Sequence, residues 1–489
     1  MKKQTNRLAV TIALFIATFM SGVEGTIVST AMPTIVASLD GLAIMNWVFS
    51  IYLLSSAIMT PIYGKLADKY GRKRVFVIGI TLFVVGSALC AFSQTMHFLV
   101  MARLIQGIGA GAILPISMTI IADLYPIEQR ANIMGLNNAA WGIASIVAPL
   151  IGGVLVEKLS WHWIFFFNVP IGIIVILLII GFLFEKKSVL AMTPLDLKGT
   201  SLLVLFLLSF LYMFQMISDQ NGLTWDSMGL LGISLAILVA FIYVETKAID
   251  PVLPLRLFKK STFVIVNIAT FLVSGFLIGL EAYTPMWLQL LNGVNASASG
   301  MALASMSIFW MVGSFFVGKL MLRFNVRHVL LIGVFCLLLS AGVLSCFALH
   351  TPYFAFVVTG CLLGIGFGIS MTTTTIAAQE SAPKEMTGVA TSTNTLFRMI
   401  GQSMMVSVYG LVLNMNMNRA MQHYEAVDHR LINQFMNVQT THEMNKDLIQ
   451  PLREIVYSGL HHIYLTGLGV IIVAFVLVLI VSLKRNRQS

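Results

Sequence analysis

The sequence predicts an all-α integral membrane protein with fourteen transmembrane helices, built as two pseudo-symmetric six-helix bundles plus two inserted helices. Three observations lead there. The chain has 489 residues, of which 58% are hydrophobic and only 10% charged, whereas a soluble domain carries about 25% charged residues. Its mean hydropathy is +0.89, and its apolar residues gather in runs of membrane-spanning length. Its second half also repeats motifs of its first.

A hydrocarbon core about 30 Å thick needs roughly 20 helical residues. Runs of that length fall at 8–34, 46–66, 75–94, 98–122, 132–156 and 163–184. Two more fall at 199–217 and 228–246, and six at 262–291, 299–320, 328–349, 353–378, 388–413 and 459–483. Lys2, Lys3 and Arg7 precede the first run, but it is too long for the apolar core of a signal peptide and lacks a small-residue cleavage site. It is therefore read as a retained span. Of the 30 Lys and Arg, 23 lie on the N-terminal side of the membrane, five on the other, and two, Arg103 and Arg398, within spans. That asymmetry predicts a multi-pass cell-membrane protein with both termini cytoplasmic. It also accounts for the net charge of +10 without nucleic acid as a partner. The long outer loop carries a polar, helix-permitting sequence, which predicts a helical hairpin near 414–457. Trp47, Trp161 and Trp163 stand at span ends and are read as interfacial anchors. The four cysteines lie in apolar runs with no CxxC, so neither disulfides nor a metal site is expected.

The repeat is visible in three places. "GKLADKYGRKRV" from Gly64 returns as "GKLMLRFNVRHV" from Gly318, and "GIGAG" at 107–111 returns as "GIGFG" at 364–368. The first pair is offset by 254 and the second by 257, and at 257 Asp123, Pro126 and Glu128 fall on Glu380, Pro383 and Glu385. The organisation expected is a bundle over 1–185, two inserted helices with linkers over 186–261, and a second bundle over 262–489. The glycine triplets have the spacing of no phosphate loop. Spread around a helix at intervals of two, they suit close packing and bending.

Glu24 is the lone charge in the first span, and the 257 offset places it on Glu281, the other carboxylate deep in a span. A charge at mid-bilayer costs at least about 2.5–3.5 kcal/mol. Binding a proton removes most of that cost, so both glutamates are candidate proton carriers and, when ionised, attractors for a cationic or polar solute. The plainer alternative is a hydrogen bond to a Ser, Thr or Asn of another helix. Arg103 must face a cavity or a partner, or else snorkel to the outer interface. Met20, Ile27 and Ala31 share the face of Glu24 at helical spacing, while Tyr283, Trp287 and Gln289 lie near Glu281. These six are candidate walls of a solute pocket. Asp68, at a helix end, is placed to bridge to basic neighbours or to a helix N-terminus of the other bundle. In the second copy Leu322 stands in its place, so the contact is expected on one side only.

These residues resemble the major facilitator superfamily, specifically its fourteen-span drug:proton antiporters. "GKLADKYGRKR" resembles the loop 2–3 signature, "RLIQGIGAG" the span-4 motif, and "VEGTIVSTAMPTI" the span-1 motif, which usually has Asp where Glu24 stands. In span 5, Gly135, Pro149 and Gly152 match the antiporter motif, with Ala144 and Ala148 in place of two glycines. The resemblance implies proton-coupled efflux of drug-like amphiphiles by alternating access. It assigns Arg103 to coupling. Gly64, Asp68, Gly71, Arg72 and Arg74 are expected to form a latch holding the outward-open form, because contacts such as those of Asp68 exist in one state only. The resemblance also implies a monomer whose partners are a small molecule, protons and lipid. A same-fold transporter of one physiological solute, such as a lipid, a metabolite or a metal-tetracycline chelate, stays open beside it. No enzyme constellation, cofactor site or nucleotide-binding domain is expected.

Overall fold

The computed structural model describes residues 5–39, 45–185, 196–219, 222, 224–248, 251–294, 296–424, 427, 431–432, 435 and 446–486. Its helices are α1 (Arg7–Leu39), α2 (Met45–Tyr70), α3 (Arg72–Ala91), α4 (Met96–Leu124), α5 (Ile127–Lys158), the one-turn α6 (Trp163–Phe166) and α7 (Asn168–Phe182). They continue with α8 (Leu197–Asp219), α9 (Trp225–Lys247), α10 (Ser261–Leu290), α11 (Ala296–Arg323) and α12 (Val326–Ser345). Last come α13 (Tyr353–Glu380), α14 (Thr387–Met421) and α15 (Lys446–Asn486). Among the described residues, twelve helices are long and apolar enough to cross a membrane. The two expected spans outside that set lie in α5, of 32 residues, and α8, of 23. The hairpin expected near 414–457 falls largely outside the described residues. Its flanks are continuous with α14 and α15.

The chain separates into two compact units. One comprises Met1–Tyr212, Gly229–Asn267 and Thr374–Phe397, and the other Met213–Met228, Ile268–Thr373 and Arg398–Ser489.

In the first unit, α1 packs on α5, and α4 sits between α2 and α3. The glycine triplet of α4 explains the latter. A Cβ on Gly107 or Gly111 would strike α2 at Ser55 or Ser56, and one on Gly109 would lie 2.2 Å from the backbone nitrogen of Phe83 on α3. The second unit repeats the pattern: Gly364 and Gly368 meet α11 at Met306 and Trp310, while Gly366 meets α12 at Leu337. Backbone cannot yield as a flexible side chain does. Gly109→Ala is therefore expected to cost at least about 1–3 kcal/mol by overpacking, read as a lower melting temperature of the detergent-solubilised protein.

Helix ends are satisfied locally and at long range. Thr95 caps α4 by accepting from the Phe98 N–H at 3.2 Å. Gly71 turns the chain at φ +95° between α2 and α3 and, having no side chain, cannot cap the start of α3. Glu185 accepts from the Lys73 N–H at 3.1 Å instead. Lys73 in turn donates to the Ile180 and Leu183 carbonyls at the end of α7, each at 2.7 Å. An acid at one helix N-terminus and a base at the neighbouring C-terminus complement both dipoles.

Trp161 corrects one expectation. It lies in the turn before the one-turn α6, is buried in the core with Ile164 and Phe165 and stacks on His162 at 3.7 Å. Trp47 and Trp163 are exposed, at 38% and 45%.

Candidate functional site

Glu24 and Arg103 are brought together inside the first unit. The α1 carboxylate is 0% exposed and the α4 guanidinium 1%. Arg103 Nη1 donates to Glu24 Oε1 in a buried ion pair. Arg103 also donates to the Val48 carbonyl at 3.0 Å and to Gln106 Oε1 at 2.8 Å, and it lies 4.1 Å from the centre of the Tyr52 ring. The other carboxylate oxygen, Oε2, accepts from Asn168 Nδ2 at 2.6 Å. Asn168 also donates to Ser87 Oγ at 3.0 Å, and Gln106 Nε2 donates to the same hydroxyl at 3.0 Å. Ser87 in turn donates to the Phe165 carbonyl at 2.9 Å. One connected network thus joins α1, α2, α3, α4 and α7. Arg103 does not reach out to an interface; its charge is neutralised in place. A buried pair with its remaining lone pairs and protons satisfied is the form in which ion burial is tolerable.

A second cluster forms at the end of α2. Asp68 is 4% exposed and accepts from the backbone N–H groups of Gly388 and Val389, at 2.9 and 2.8 Å. These are unpaired donors in the first turn of α14, where the helix dipole also favours an anion. Arg72 pairs with Asp68 and with Asp123, each at 3.0 Å. Arg130 pairs with Glu380 at 2.7 Å. Gly64 lets the two helices meet, for a Cβ there would lie 2.0 Å from Ser392 Oγ and 2.7 Å from the Gly388 carbonyl. Arg74 is exposed and takes no part among the described residues. Leu322, the counterpart of Asp68, is 62% exposed.

Residues 14–406 match the family model for the Major Facilitator Superfamily. The chain belongs to the major facilitator superfamily. Among its relatives are the multidrug transporter protein MdtP of Bacillus subtilis, 36% identical over 84% of this chain and 76% of that protein, and multidrug resistance protein 3 of the same organism, 33% identical over 84% and 80%. The multidrug efflux pump SdrM of Staphylococcus aureus is 32% identical over 82% of this chain and 89% of that one. In fold it is similar to the human organic anion transporter MFSD10, with a TM-score of 0.64 at 14% identity, covering 97% of this chain and 100% of that one.

In this superfamily member one span-5 motif position, Ala144, makes a close helix contact. Gly135, Ala144, Ala148 and Gly152 are buried, and a Cβ on Gly22 of α1 would come within 2.9 Å of the Ala144 Cβ. Pro149 lies within α5; its side chain is outside the described set. Met20, Ile27 and Ala31 share the face of Glu24 but are all 0% exposed. They are packed here and bound no cavity.

The second unit differs. Glu281 is only partly buried and, among the described residues, makes no hydrogen bond or ion pair; Arg398 acts on it across space. Among the described residues the Arg398 Nε is buried without a partner, and its Nη2 lies 3.7 Å from the Met371 sulfur. The 257 offset places Gly360 where Arg103 would have its counterpart, so the basic neighbour comes from α14 instead. Tyr283 meets Tyr409 edge to face at 6.2 Å. Gln289 donates to Ser299 at 3.0 Å. Trp287 is fully buried and stacked on Tyr464 at 5.2 Å.

Sequence reasoning missed Asn168, Ser87 and Gln106. The signal was present for one of them. Asn168, in "FFFNVPIG", is an amide amid apolar residues and carries the same cost argument as Glu24.

Proposed function

We propose that this protein exports drug-like amphiphiles across the cell membrane in exchange for protons, by alternating access between its two halves. The observation that carries the reading is the fully buried Glu24–Arg103 pair. Taking both charges out of water costs stability that the pair and its hydrogen bonds must offset, and opening it requires that Glu24 gain a proton or Arg103 gain another acceptor. Protonating Glu24 releases Arg103 to its remaining contacts on α2 and α4, the Val48 carbonyl, the Tyr52 ring and Gln106. The event at α1 is thereby transmitted to two helices. With Glu24 enclosed, solute and proton need not compete for one oxygen in this conformation; the competition runs through the state of the pair. The names of the multidrug relatives support drug-like solutes.

Glu281 takes the other role in this reading. Half-buried and unpaired among the described residues, it is suited to attract a cationic solute, with Tyr283 and Gln289 beside it. Met20, Ile27, Ala31 and Trp287 would join a pocket only in a conformation that parts their helices. In this reading both termini lie in the cytoplasm, and the latch around Asp68 holds one of the two access states.

The test is proton flux in proteoliposomes. Addition of a cationic dye should drive proton movement with wild-type protein, and none should appear with a scaffold that does not transport. Glu281→Gln is expected to reduce efflux of a cationic dye roughly tenfold or more, equivalent to one lost charge contact of about 1.4 kcal/mol, while sparing a neutral antibiotic. Equal losses for both would remove Glu281 from solute recognition.

A further inference from the structure

We infer that Asn168 is the positioning residue for proton uptake at Glu24: its side-chain amide donates to the ionised carboxylate and turns end for end to accept from the protonated one. This rests on the reading of Glu24 as proton carrier and deepens it.

The two oxygens of Glu24 face donors. Oε1 meets Arg103 Nη1 and Oε2 meets Asn168 Nδ2. Such a cage suits only the carboxylate, because a protonated oxygen pointing at N–H groups has nowhere to place its hydrogen. One of the two must change for a proton to stay. Arginine has no acceptor, so it can only withdraw. An asparagine amide carries both an acceptor and donors, and half a turn about its last bond exchanges them.

The network contains a second amide, Gln106, and its bonds fix its orientation. Its oxygen accepts from Arg103 Nη1 at 2.8 Å and faces the Cys90 thiol at 3.7 Å, while its nitrogen donates to Ser87 at 3.0 Å. Turning Gln106 would set N–H against guanidinium. Asn168 is not held in this way. Its Oδ1 is buried and, among the described residues, has no hydrogen-bond partner, so an acceptor stands ready beside the acid with nothing to release. Turning it leaves the NH₂ group in that unpartnered place, so the two orientations differ in which end of the amide meets Glu24 and Ser87. What then decides the orientation is whether Oε2 carries a proton. The step adds one proton to Oε2 and breaks no covalent bond.

Ser87 completes the switch. Its hydroxyl now donates to the Phe165 carbonyl and accepts from both amides. When Asn168 presents oxygen, the hydroxyl hydrogen can rotate to it and free the Phe165 carbonyl. Phe165 lies in α6, directly before α7, so the protonation state reaches the α6–α7 junction. The other titratable or charged groups acting on Glu24 are Arg103 from α4, Tyr52 from α2 and Cys90 from α3. To this stretch of α1, α5 presents Trp141 and Ala144, neither titratable.

The experiment uses the full-length protein in proteoliposomes. The pH dependence of dye export is measured for wild type, Asn168→Leu, Asn168→Gln and Glu24→Gln, alongside infrared difference spectra of the protonated carboxyl band on acidification. A bond donated to an ionised group outweighs one accepted from a neutral acid, by an amount worth about one pH unit. Asn168→Leu should therefore move the export midpoint up by about one unit, and Asn168→Gln, which keeps an amide, should return it toward wild type. The carboxyl band, absent in Glu24→Gln, should lie at lower frequency in wild type than in Asn168→Leu, because the acid O–H is donated to an amide only in the former. The spectra require a folded protein but no transport. An unmoved midpoint and an unmoved band in Asn168→Leu overturn the role of Asn168 and leave Glu24 standing. A wild-type pH profile and an unchanged carboxyl band in Glu24→Gln overturn the reading of Glu24 and the turn of Asn168 with it.

Discussion

Glu24→Gln should abolish uphill export while leaving downhill movement of the same dye measurable. Gln keeps the size of Glu and retains an oxygen for Arg103 to donate to, so the packing around α1 persists. The proton is what it loses. Each elementary charge crossing the membrane contributes about 2.3 kcal/mol per 100 mV, equivalent to roughly a 50-fold solute gradient for one net charge. With no group to carry it, the sustained gradient should collapse to unity. Energised vesicles loaded with dye measure this directly, and dye counterflow in the absence of any gradient reports the surviving downhill path. Export sustained by a pH gradient in the variant would sink the assignment. Arg103→Met tests the other partner and should be worse for the fold. It leaves Glu24 buried without its cation, and breaking one side of a buried pair costs about 3–5 kcal/mol. The double variant Glu24→Gln with Arg103→Met should recover most of that stability but no coupling.

The sequence made some of this site legible and hid the rest for a physical reason. Glu24, Arg103 and Asp68 announce themselves because a charge in an apolar segment is expensive wherever it points. The glycine triplets do so because small residues at fixed spacing have few uses in a membrane helix other than close contact. Partner identity is a tertiary fact, and periodicity along one helix does not reveal it. That Glu24 meets Arg103 and Asn168 follows from how α1, α4 and α7 cross. So does the burial of Met20, Ile27 and Ala31: sharing a face with Glu24 put them in the same packed interface, not on a cavity wall. Trp161 failed as an anchor for the same reason, since a span boundary says nothing of which way a turn aims its ring. The repeat carried the fold further than the site. Both halves use the glycine triplet in the same alternating way, yet Glu281 received a basic neighbour from a different helix than Glu24 did.

The second large effect should come from the contact at the end of α2. In Asp68→Asn one amide oxygen replaces two charged ones, and its NH₂ group faces a backbone donor. Both bonds from Gly388 and Val389 involve an ionised acceptor, and such bonds contribute about 1.5–3 kcal/mol each. Losing the charge also forfeits the dipole of α14 and leaves Arg72 with Asp123 alone. A total near 3–5 kcal/mol corresponds to an occupancy of the contact lower by a few hundredfold or more. Hydrogen exchange reads this at the atoms concerned. The Gly388 and Val389 amides should be protected in wild type and exchange at least about 100-fold faster in Asp68→Asn, with transport falling in parallel. Gly64→Ala should reach the same end by another route, because its Cβ would lie 2.0 Å from Ser392 Oγ and 2.7 Å from the Gly388 carbonyl. Adding Ser392→Gly would relieve only the first of these, so rescue should be partial. Leu322→Asp is the control. Its site, the counterpart of Asp68 in the repeat, is exposed, and a carboxylate there should change neither exchange at 388–389 nor transport. Unaltered amide protection in Asp68→Asn would mean that α2 and α14 are held together by packing, with the carboxylate incidental.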